Sequence, residues 1–329
     1  TTEIYTLSLH DALPILTFEV TILGSSSAIP TSERYPTAQA VNLLGRFFLV
    51  DCGEGTQIQL RRMKFSFARV NHIFVSHLHG DHFLGLPGLI STRNLLGIKS
   101  DLHIYAHSPL KELIQPLIDH MKGELGFSIT FHPLNFRQPA VVWEDRLVEV
   151  VSFPLKHSVP CCGFLFREKP SLPNLRKDQI ARYAIPVSQM QQIKEGAGFT
   201  TGEGAEIPHS ELVIAPPAPR SYAFMTDTAY HEPAAEIIRG ADLLYHEATF
   251  LEEMQDWAGK TLHSTARQAA QMAVHAGVGR LILGHFSTRY KNLSPFLTEA
   301  RALFPETSLA ADGDRFAIPT LPRRNACQN

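Results

Sequence analysis

Four side chains able to bind a metal ion lie within the six residues His77-Leu-His79-Gly-Asp81-His82. They follow an apolar run typical of a strand (72–76) and begin an apolar stretch that predicts a helix (81–96). Imidazoles and carboxylates need polar partners, which a packed core would not provide. A metal ion meets that need, and a ligand set of histidine and aspartate without cysteine favours zinc or another borderline divalent ion.

The same motif indicates two ions and has too few ligands for both. Its His-x-His pair can bind one ion, while the adjacent Asp-His pair points elsewhere and would serve a second ion. We expect the missing ligands at the ends of other strands, where a rigid scaffold can hold them. His157, Asp227 and His285 each follow an apolar run and fit this requirement. Each of the three, taken alone, could equally be a polar residue that simply ends its strand.

The elements that must position these residues alternate short apolar strands with helical patterns. The chain shows two halves of this kind, and the strand at 147–153 falls in the first half. Helices of both halves have one apolar face, which predicts an α/β fold of two sheets packed face to face with helices outside. Predicted strands cover 18–23, 47–51, 72–76, 102–105, 147–153, 222–226, 242–246 and 280–283, and predicted helices cover 55–63, 81–96, 109–121, 178–183, 233–238, 265–276 and 294–304.

Composition excludes several classes of protein. The 329 residues are 44% hydrophobic and 19% charged, which predicts a folded chain with a substantial core. A net charge of −2 argues against a protein whose whole surface is positively charged for nonspecific binding of nucleic acid. No stretch approaches the roughly 20 apolar residues that span a bilayer. The 4 cysteines are too few for a disulfide framework, and free thiols fit a soluble protein of the reducing cytoplasm.

Three segments stand apart from the main pattern. Residues 1–16 lack an initiating Met and end abruptly before the first strand. They are either a non-native segment or an ordinary N-terminal extension that is disordered. We expect a single domain over 17–320 and a tail over 321–329. Within that domain, residues 167–218 are rich in proline, glycine and polar residues and exceed the roughly 4 to 6 residues of an ordinary connection. They are a functional excursion or a disordered insert, with a net charge of +4 over 167–194.

The motifs resemble the metallo-β-lactamase superfamily and, within it, the short form of the tRNase Z (ribonuclease Z) family. The resemblance covers about residues 17–318 and implies a four-layer αββα sandwich with an inserted arm, protruding within 167–218, that binds tRNA. Besides the His-x-His-x-Asp-His motif, it rests on Asp51-Cys-Gly-Glu-Gly-Thr-Gln57, His157-Ser-Val-Pro-Cys161, Thr226-Asp227-Thr228, His246-Glu-Ala-Thr249, His263-Ser-Thr265 and Gly284-His285-Phe286.

The resemblance also implies the metal ligands, for two Zn²⁺ ions or other divalent ions per subunit. By position in the motifs, one zinc would take His77, His79 and His157. The other would take Asp81, His82 and His285, and Asp227 would bridge the two.

The activity implied by the resemblance is removal of the 3′ trailer from precursor tRNA by a zinc-dependent endoribonuclease, which leaves a 3′ hydroxyl on the tRNA and a 5′ phosphate on the trailer. Two metal ions can activate a water molecule and neutralise charge on the phosphate. Asp81 would accept the water's proton as well as bind zinc, or would be a ligand only. His263, in a turn before a helix, would protonate the leaving oxygen. Glu247 would hold His263 in place.

Substrate contacts are expected at two places. Ser264 and Thr265 stand at the start of the helix at 265–276, where they could bind a phosphate, although Ser264 could instead be the N-cap of that helix. Arg176, Lys177 and Arg182 of the arm would contact phosphates of precursor tRNA, or form an ordinary solvated surface. The family further implies a homodimer without membrane attachment.

Two other functions remain open at this point. A dinuclear site does not by itself select RNA, so a phosphodiesterase or other small-ester hydrolase is one alternative. A noncatalytic RNA-binding or scaffold protein that inherited the fold is the second. The long arm and the turn at His263 argue against the first, and the complete ligand set argues against the second.

Overall fold

A computed structural model describes residues 17–121 and 125–320. The extension at 1–16 and the tail at 321–329, both anticipated from the sequence, lie outside the described residues. By its contacts the chain divides into two compact units. The larger unit includes residues up to Arg167 together with Arg220–Ile318, and the smaller one includes Glu168–Pro219. Within the described ranges, no helix has the length and apolar character that a membrane span requires.

The larger unit contains two mixed sheets of 7 strands each. The strands of the first sheet are β1 (Phe18–Gly24), β2 (Ala38–Leu43), β3 (Arg46–Val50), β4 (His72–Phe74), β5 (Leu102–Ala106), β6 (Ile129–Pro133) and β18 (Arg315–Ala317). They lie in the order β18-β1-β2-β3-β4-β5-β6. The pairs from β18 to β3 are antiparallel, and the pairs from β3 to β6 are parallel.

The second sheet combines strands from before and after the smaller unit. They are β7 (Ala140–Glu144), β8 (Val148–Leu155), β9 (Cys161–Glu168), β14 (Ser221–Met225), β15 (Leu243–Glu247), β16 (Leu281–Gly284) and β17 (Thr307–Leu309), in the order β17-β16-β15-β14-β9-β8-β7. The assignment of the strand at 147–153 to the first half is therefore wrong, because the chain crosses to the second sheet after β6. In the same way, β18 returns from the end of the chain to the first sheet.

Aromatic side chains fill the space between the two sheets. Phe74 of the first sheet meets Phe164 and Phe166 of the second edge to face, with ring centroids 5.5 and 5.7 Å apart. Apolar faces of helices cover the outer sides of both sheets. This confirms the predicted four-layer αββα architecture. The helices are α1 (Thr56–Arg62), α2 (Gly80–Phe83), α3 (Leu86–Leu95), α4 (Pro109–Met121), α8 (Pro233–Ile237), α9 (Gln255–Thr261), α10 (Ala266–Ala276) and α11 (Ser294–Arg301).

The smaller unit has a core of its own, formed by the buried side chains of Ile185, Ile193, Phe199 and Leu212. The segment is therefore folded, and α5 confirms the short helix predicted at 178–183. Helix α6 was missed because its polar sequence lacks a clear apolar period. The elements of this unit are β10 (Asn174–Leu175), α5 (Lys177–Arg182), α6 (Val187–Lys194), β11 (Phe199–Thr200), β12 (Glu206–Ile207), α7 (His209–Leu212) and β13 (Val213–Ile214).

The single helix predicted at 81–96 is divided into α2 and α3 by Gly85. The Gly85 N–H donates to the Cys52 carbonyl at 2.9 Å, which ties the histidine-rich loop to the end of β3. A Cβ at position 85 would lie 2.1 Å from the Gly53 carbonyl oxygen and 2.8 Å from that of Cys52. Only glycine allows this approach of the two backbones.

We predict that Gly85→Ala lowers the free energy of unfolding by about 1–3 kcal/mol, because the added methyl group forces these backbones apart. Urea denaturation measures the effect. Gly259→Ala is the matched control, since a Cβ at that helical position meets nothing within 4 Å and should be neutral or slightly stabilising. Equal stability of the two variants would contradict the role assigned to Gly85.

Candidate metal centre

The structure brings together all seven side chains predicted to bind metal. His77, His79, Asp81 and His82 lie on the loop and helix after β4, in the first sheet. His157 follows β8, Asp227 follows β14 and His285 follows β16, all in the second sheet. Asp227 and His285 have left-handed backbone conformations, with φ of 47° and 57°. Such conformations are uncommon for residues other than glycine and cluster at functional sites.

One group of ligands consists of His77, His79 and His157 together with Asp227. His77 Nε2 and His157 Nε2 lie 3.0 and 3.2 Å from His79 Nδ1. The Oδ1 atom of Asp227 lies 3.7 Å from His77 Nε2 and 3.8 Å from His157 Nε2. These four atoms surround one point, as the ligands of a single cation do.

A second group consists of Asp81, His82 and His285. Asp81 Oδ2 lies 3.3 Å from His82 Nε2 and 3.6 Å from His285 Nε2. The other oxygen of Asp227, Oδ2, lies 3.2 Å from each of these two nitrogens. Asp227 therefore presents one oxygen to each group, which is the geometry of a bridging carboxylate.

Hydrogen bonds to the remaining ring nitrogen orient four of the histidines. In each case Nδ1 faces an acceptor, which leaves Nε2 with its lone pair directed into the site. The pairs are His77 Nδ1 with Ser76 Oγ at 3.0 Å, His82 Nδ1 with Asp51 Oδ2 at 2.7 Å, His157 Nδ1 with the Leu262 carbonyl at 3.1 Å and His285 Nδ1 with Thr249 Oγ1 at 3.0 Å.

Two features of the protein itself fit bound cations. The Nε2 atoms of His82 and His285 are buried without a hydrogen-bond partner, which is costly unless something binds them. Burial alone would lower the pKa of His82, but the carboxylates of Asp81, Asp227 and Asp51 outweigh it and hold that pKa well above its ordinary value. Three carboxylates crowded in the interior thus require positive charge, which a divalent ion would provide.

Asp51 has a role in this site that sequence reasoning missed. It was noted within a motif, but no function was assigned to it. The carboxylate is fully buried, accepts from the Ser76 N–H at 2.7 Å and its hydroxyl at 2.9 Å, and fixes the ring of His82. Asp51 follows β3 directly and has a φ of 56°. The rule that found the other strand-end ligands would have found it as well.

A cavity of about 270 Å³ opens onto the two groups of ligands and is also lined by His263. His263 Nδ1 lies 2.9 Å from Oε1 of Glu247, which is fully buried. The other oxygen of Glu247 accepts from the hydroxyl of Thr249 at 2.6 Å. Burial lowers the pKa of His263, but the Glu247 carboxylate outweighs burial and raises it to about 9. The imidazolium form therefore persists at neutral pH.

His263 could also be considered as a metal ligand, because it lies near Asp227 and His285. Its Nδ1 atom is 3.9 Å from Asp227 Oδ1 but only 2.9 Å from Glu247. The nitrogen nearest Asp227 is thus already engaged by the Glu247 carboxylate. This favours a role in proton transfer over metal binding.

The expectation for Ser264 and Thr265 needs correction. Both residues are fully buried, so the structure does not support a bond from either side chain to a substrate phosphate. The Ser264 hydroxyl donates to the Thr228 carbonyl at 2.6 Å. Thr265, not Ser264, is the N-cap of α10, and it forms a capping box with Gln268. The threonine therefore stabilises the helix that follows the His263 turn.

The three basic residues predicted to bind tRNA all lie in the smaller unit. Arg176 forms a salt bridge of 3.0 Å with Asp178, which offsets part of its charge. Arg182 stacks over the ring of Tyr183, with its guanidinium carbon 5.2 Å from the ring centroid. Lys177 and Arg182 are exposed. Their contact with tRNA stays a prediction.

We predict that Asp227→Asn reduces binding of divalent metal by both groups of ligands, because the neutral amide is a poorer ligand than the shared carboxylate. Metal analysis of the dialysed protein measures the number of ions per chain. His263→Ala is the control and should retain the metal content of the unmodified protein. Two tightly held ions in the Asp227→Asn variant would contradict the bridging assignment.

Comparison with known proteins agrees with this geometry. The family described as "Beta-lactamase superfamily domain" matches residues 186–286, and the family described as "Anti-Pycsar protein Apyc1" matches residues 18–169. Among solved structures, the fold is similar to the short form of human tRNase Z, with a TM-score of 0.68 and 27% identity. That similarity covers 92% of this chain and 99% of the human one.

Two bacterial relatives have a higher sequence identity to this chain than the human protein has. Ribonuclease Z of Bacteroides thetaiotaomicron is 48% identical over 295 residues, which cover 90% of this chain and 93% of the relative. Ribonuclease Z of Parabacteroides distasonis is 46% identical over 301 residues, with 92% and 99% covered. With its αββα fold and its cluster of histidines and aspartates, the chain belongs to the ribonuclease Z family of metallo-β-lactamase-fold hydrolases.

Proposed function

We propose that this protein is a zinc-dependent endoribonuclease that removes the 3′ trailer from precursor tRNA, leaving a 3′ hydroxyl on the tRNA and a 5′ phosphate on the trailer. The observation that carries the proposal is the Glu247–His263 pair beside the two groups of ligands. A dinuclear site can serve many esters, but a poor alkoxide leaving group such as a ribose oxygen needs an acid at this position. The names of the relatives agree with an RNA substrate.

Zinc would be held as the ligand groups suggest, by His77, His79 and His157 on one side, by Asp81, His82 and His285 on the other, and by Asp227 between them. When bound, the two ions activate water for attack and neutralise charge that develops on the phosphate. The protein contributes the fixed orientation of four of the five imidazoles, because the outer nitrogens of His77, His82, His157 and His285 are already committed to hydrogen bonds.

Asp81 would accept the proton of the attacking water. Its carboxylate lines the cavity and is held by the Ala28 N–H, which donates to Oδ2 at 2.8 Å. Burial would raise the pKa of Asp81, but His82 and His285 hold it far below the ordinary value, so the carboxylate is ionised. The alternative, in which Asp81 serves only as a ligand, uses the same geometry.

His263 would donate a proton to the ribose 3′ oxygen as its bond to phosphorus breaks. Glu247 engages Nδ1, so Nε2 is the atom available to the substrate. The buried carboxylate fixes the tautomer and stabilises the imidazolium, as the carboxylate of a catalytic triad does. Thr228 and Thr249 anchor that carboxylate through N–H groups at 2.7 and 3.2 Å.

The direct test of the function uses a 3′-extended tRNA transcript, incubated with the protein before and after treatment with a metal chelator. We expect one cut after the discriminator nucleotide, its loss on chelation and its recovery on addition of zinc. Mapping of both ends should find a 3′ hydroxyl and a 5′ phosphate. If the protein hydrolyses a nitrophenyl phosphodiester efficiently but does not cleave the transcript, a small-ester hydrolase is favoured. If the zinc-loaded protein cleaves neither substrate, a noncatalytic protein is favoured.

We predict that His263→Ala reduces turnover of the transcript by roughly 10²- to 10⁴-fold, the usual contribution of a general acid, with zinc content unchanged. Single-turnover kinetics at saturating protein measure the change. Unchanged turnover, or loss of zinc, would exclude His263 as the acid.

We predict that Glu247→Gln moves the alkaline limb of the pH–rate profile to lower pH. The acid must be protonated, so activity is lost as pH rises through the pKa of His263, and removal of the carboxylate lowers that pKa. The profile from pH 5 to 10 shows the direction of the shift. A limb that stays in place would mean that another group titrates.

The smaller unit would bind the precursor tRNA. Its net positive segment contains Arg176, Lys177 and Arg182, and phosphate contacts of this kind weaken as salt rises. Deletion of the unit should therefore weaken binding of precursor tRNA and reduce its salt dependence, and unchanged affinity would refute this use. The homodimer implied by the family resemblance and the cytoplasmic location indicated by the free cysteines stay predictions. The mass of the protein in solution checks the first of them.

A further inference from the structure

An exposed tryptophan and an exposed arginine lie beside the proposed acid. The guanidinium carbon of Arg289 is 5.7 Å from the ring centroid of Trp257 and 5.9 Å from that of Phe250. Phe250 in turn packs against His263, with ring centroids 6.2 Å apart. We call these three side chains the Trp257 surface. Phe250 is buried between His263 and Arg289, while Trp257 and Arg289 are exposed.

The backbone that carries this surface is held firmly. Arg289 lies in the turn after His285, and Arg34 donates to two carbonyls of that turn, of Ser287 at 3.5 Å and of Tyr290 at 3.3 Å. Trp257 lies on α9, which ends immediately before His263. The surface is therefore positioned by the same segments that position a metal ligand and the acid.

The chemistry of the surface fits a nucleotide. The Trp257 side chain is 44% exposed, although burial of so large a ring would be favourable. Arg289 is also exposed, and the ion pairs found within the described residues give it no carboxylate partner. An aromatic face stacks on a nucleobase and an unpaired guanidinium binds a phosphate, the combination that single-stranded nucleic acid requires.

We propose that the Trp257 surface binds the nucleotide whose 3′ oxygen is released, which is the last nucleotide retained on the tRNA. Its base stacks on Trp257, and Arg289 contacts the phosphate on its 5′ side. This inference rests on the proposed function, because the assignment follows from His263 as the acid. The ribose that receives the proton must lie on the His263 side of the cleaved bond. That side adjoins Phe250, and Arg289 packs against both Phe250 and Trp257.

The experiment compares two 3′-extended tRNA transcripts, one normal and one with an abasic ribose at the last retained nucleotide. Stacking on one base contributes about 1–3 kcal/mol, or roughly 5- to 150-fold. We expect Trp257→Ala to lose that factor in kcat/KM on the normal transcript, and the unmodified protein to lose a similar factor on the abasic one. The variant and the abasic transcript together should lose little more than either alone, since both remove the same contact.

Matched variants separate stacking from other effects. Trp257→Phe keeps an aromatic face and should retain most of the activity. Leu95→Ala removes another exposed apolar side chain, 84% exposed and outside the surface, and should not discriminate between the transcripts. Arg289→Gln should weaken cleavage of both transcripts alike, because its phosphate contact does not depend on the base.

Three results would overturn the inference. In the first, Trp257→Ala cleaves the normal transcript as well as the unmodified protein does. In the second, the losses from the variant and from the abasic site multiply when combined. In the third, only an abasic site at the first trailer nucleotide reproduces the loss, which would place the contact on the trailer. Failure of the proposed function looks different, since the unmodified protein would then not cut the normal transcript at all.

Discussion

The carboxylate of Asp227 is shared by both groups of ligands, and every other part of the site is arranged around it. It is almost completely buried, and burial would raise its pKa, but His285, His82 and His77 hold that pKa well below the ordinary value. A buried anion of this kind is tolerated only where positive charge and hydrogen bonds surround it. Asp227 lies just after β14 and has a left-handed backbone conformation. The other ligands must therefore reach a carboxylate whose position is set by the end of that strand.

The acid and the second group of ligands are linked through Thr249. Its hydroxyl donates to Glu247, which holds His263, and accepts from Nδ1 of His285. One buried hydroxyl therefore orients His285, a proposed metal ligand, and supports Glu247, the partner of the proposed acid. Proton delivery and metal binding, as proposed, would not be independent, because a displacement of Thr249 would move both.

Much of the site could be predicted because each ligand follows a strand, and strand ends meet at one edge of a sheet. Asp51 also follows a strand directly, so the same rule would have found it, although its carboxylate contacts His82 rather than the cavity. The N-cap alternative for Ser264 is wrong, because the capping box with Gln268 is formed by the neighbouring Thr265. The sheet to which residues 147–153 belong is decided by contacts between residues far apart in sequence. Local periodicity does not reveal such contacts.

The ligands come from two different sheets. His77 and His82 belong to the first, and His157, Asp227 and His285 belong to the second, so each group joins one sheet to the other. Bound ions would then act as cross-links across the seam of the sandwich, and their binding free energy would add to the stability of the native state. The supply of divalent metal would in that case affect how long the protein persists as well as how active it is, because the metal-free form would open more readily.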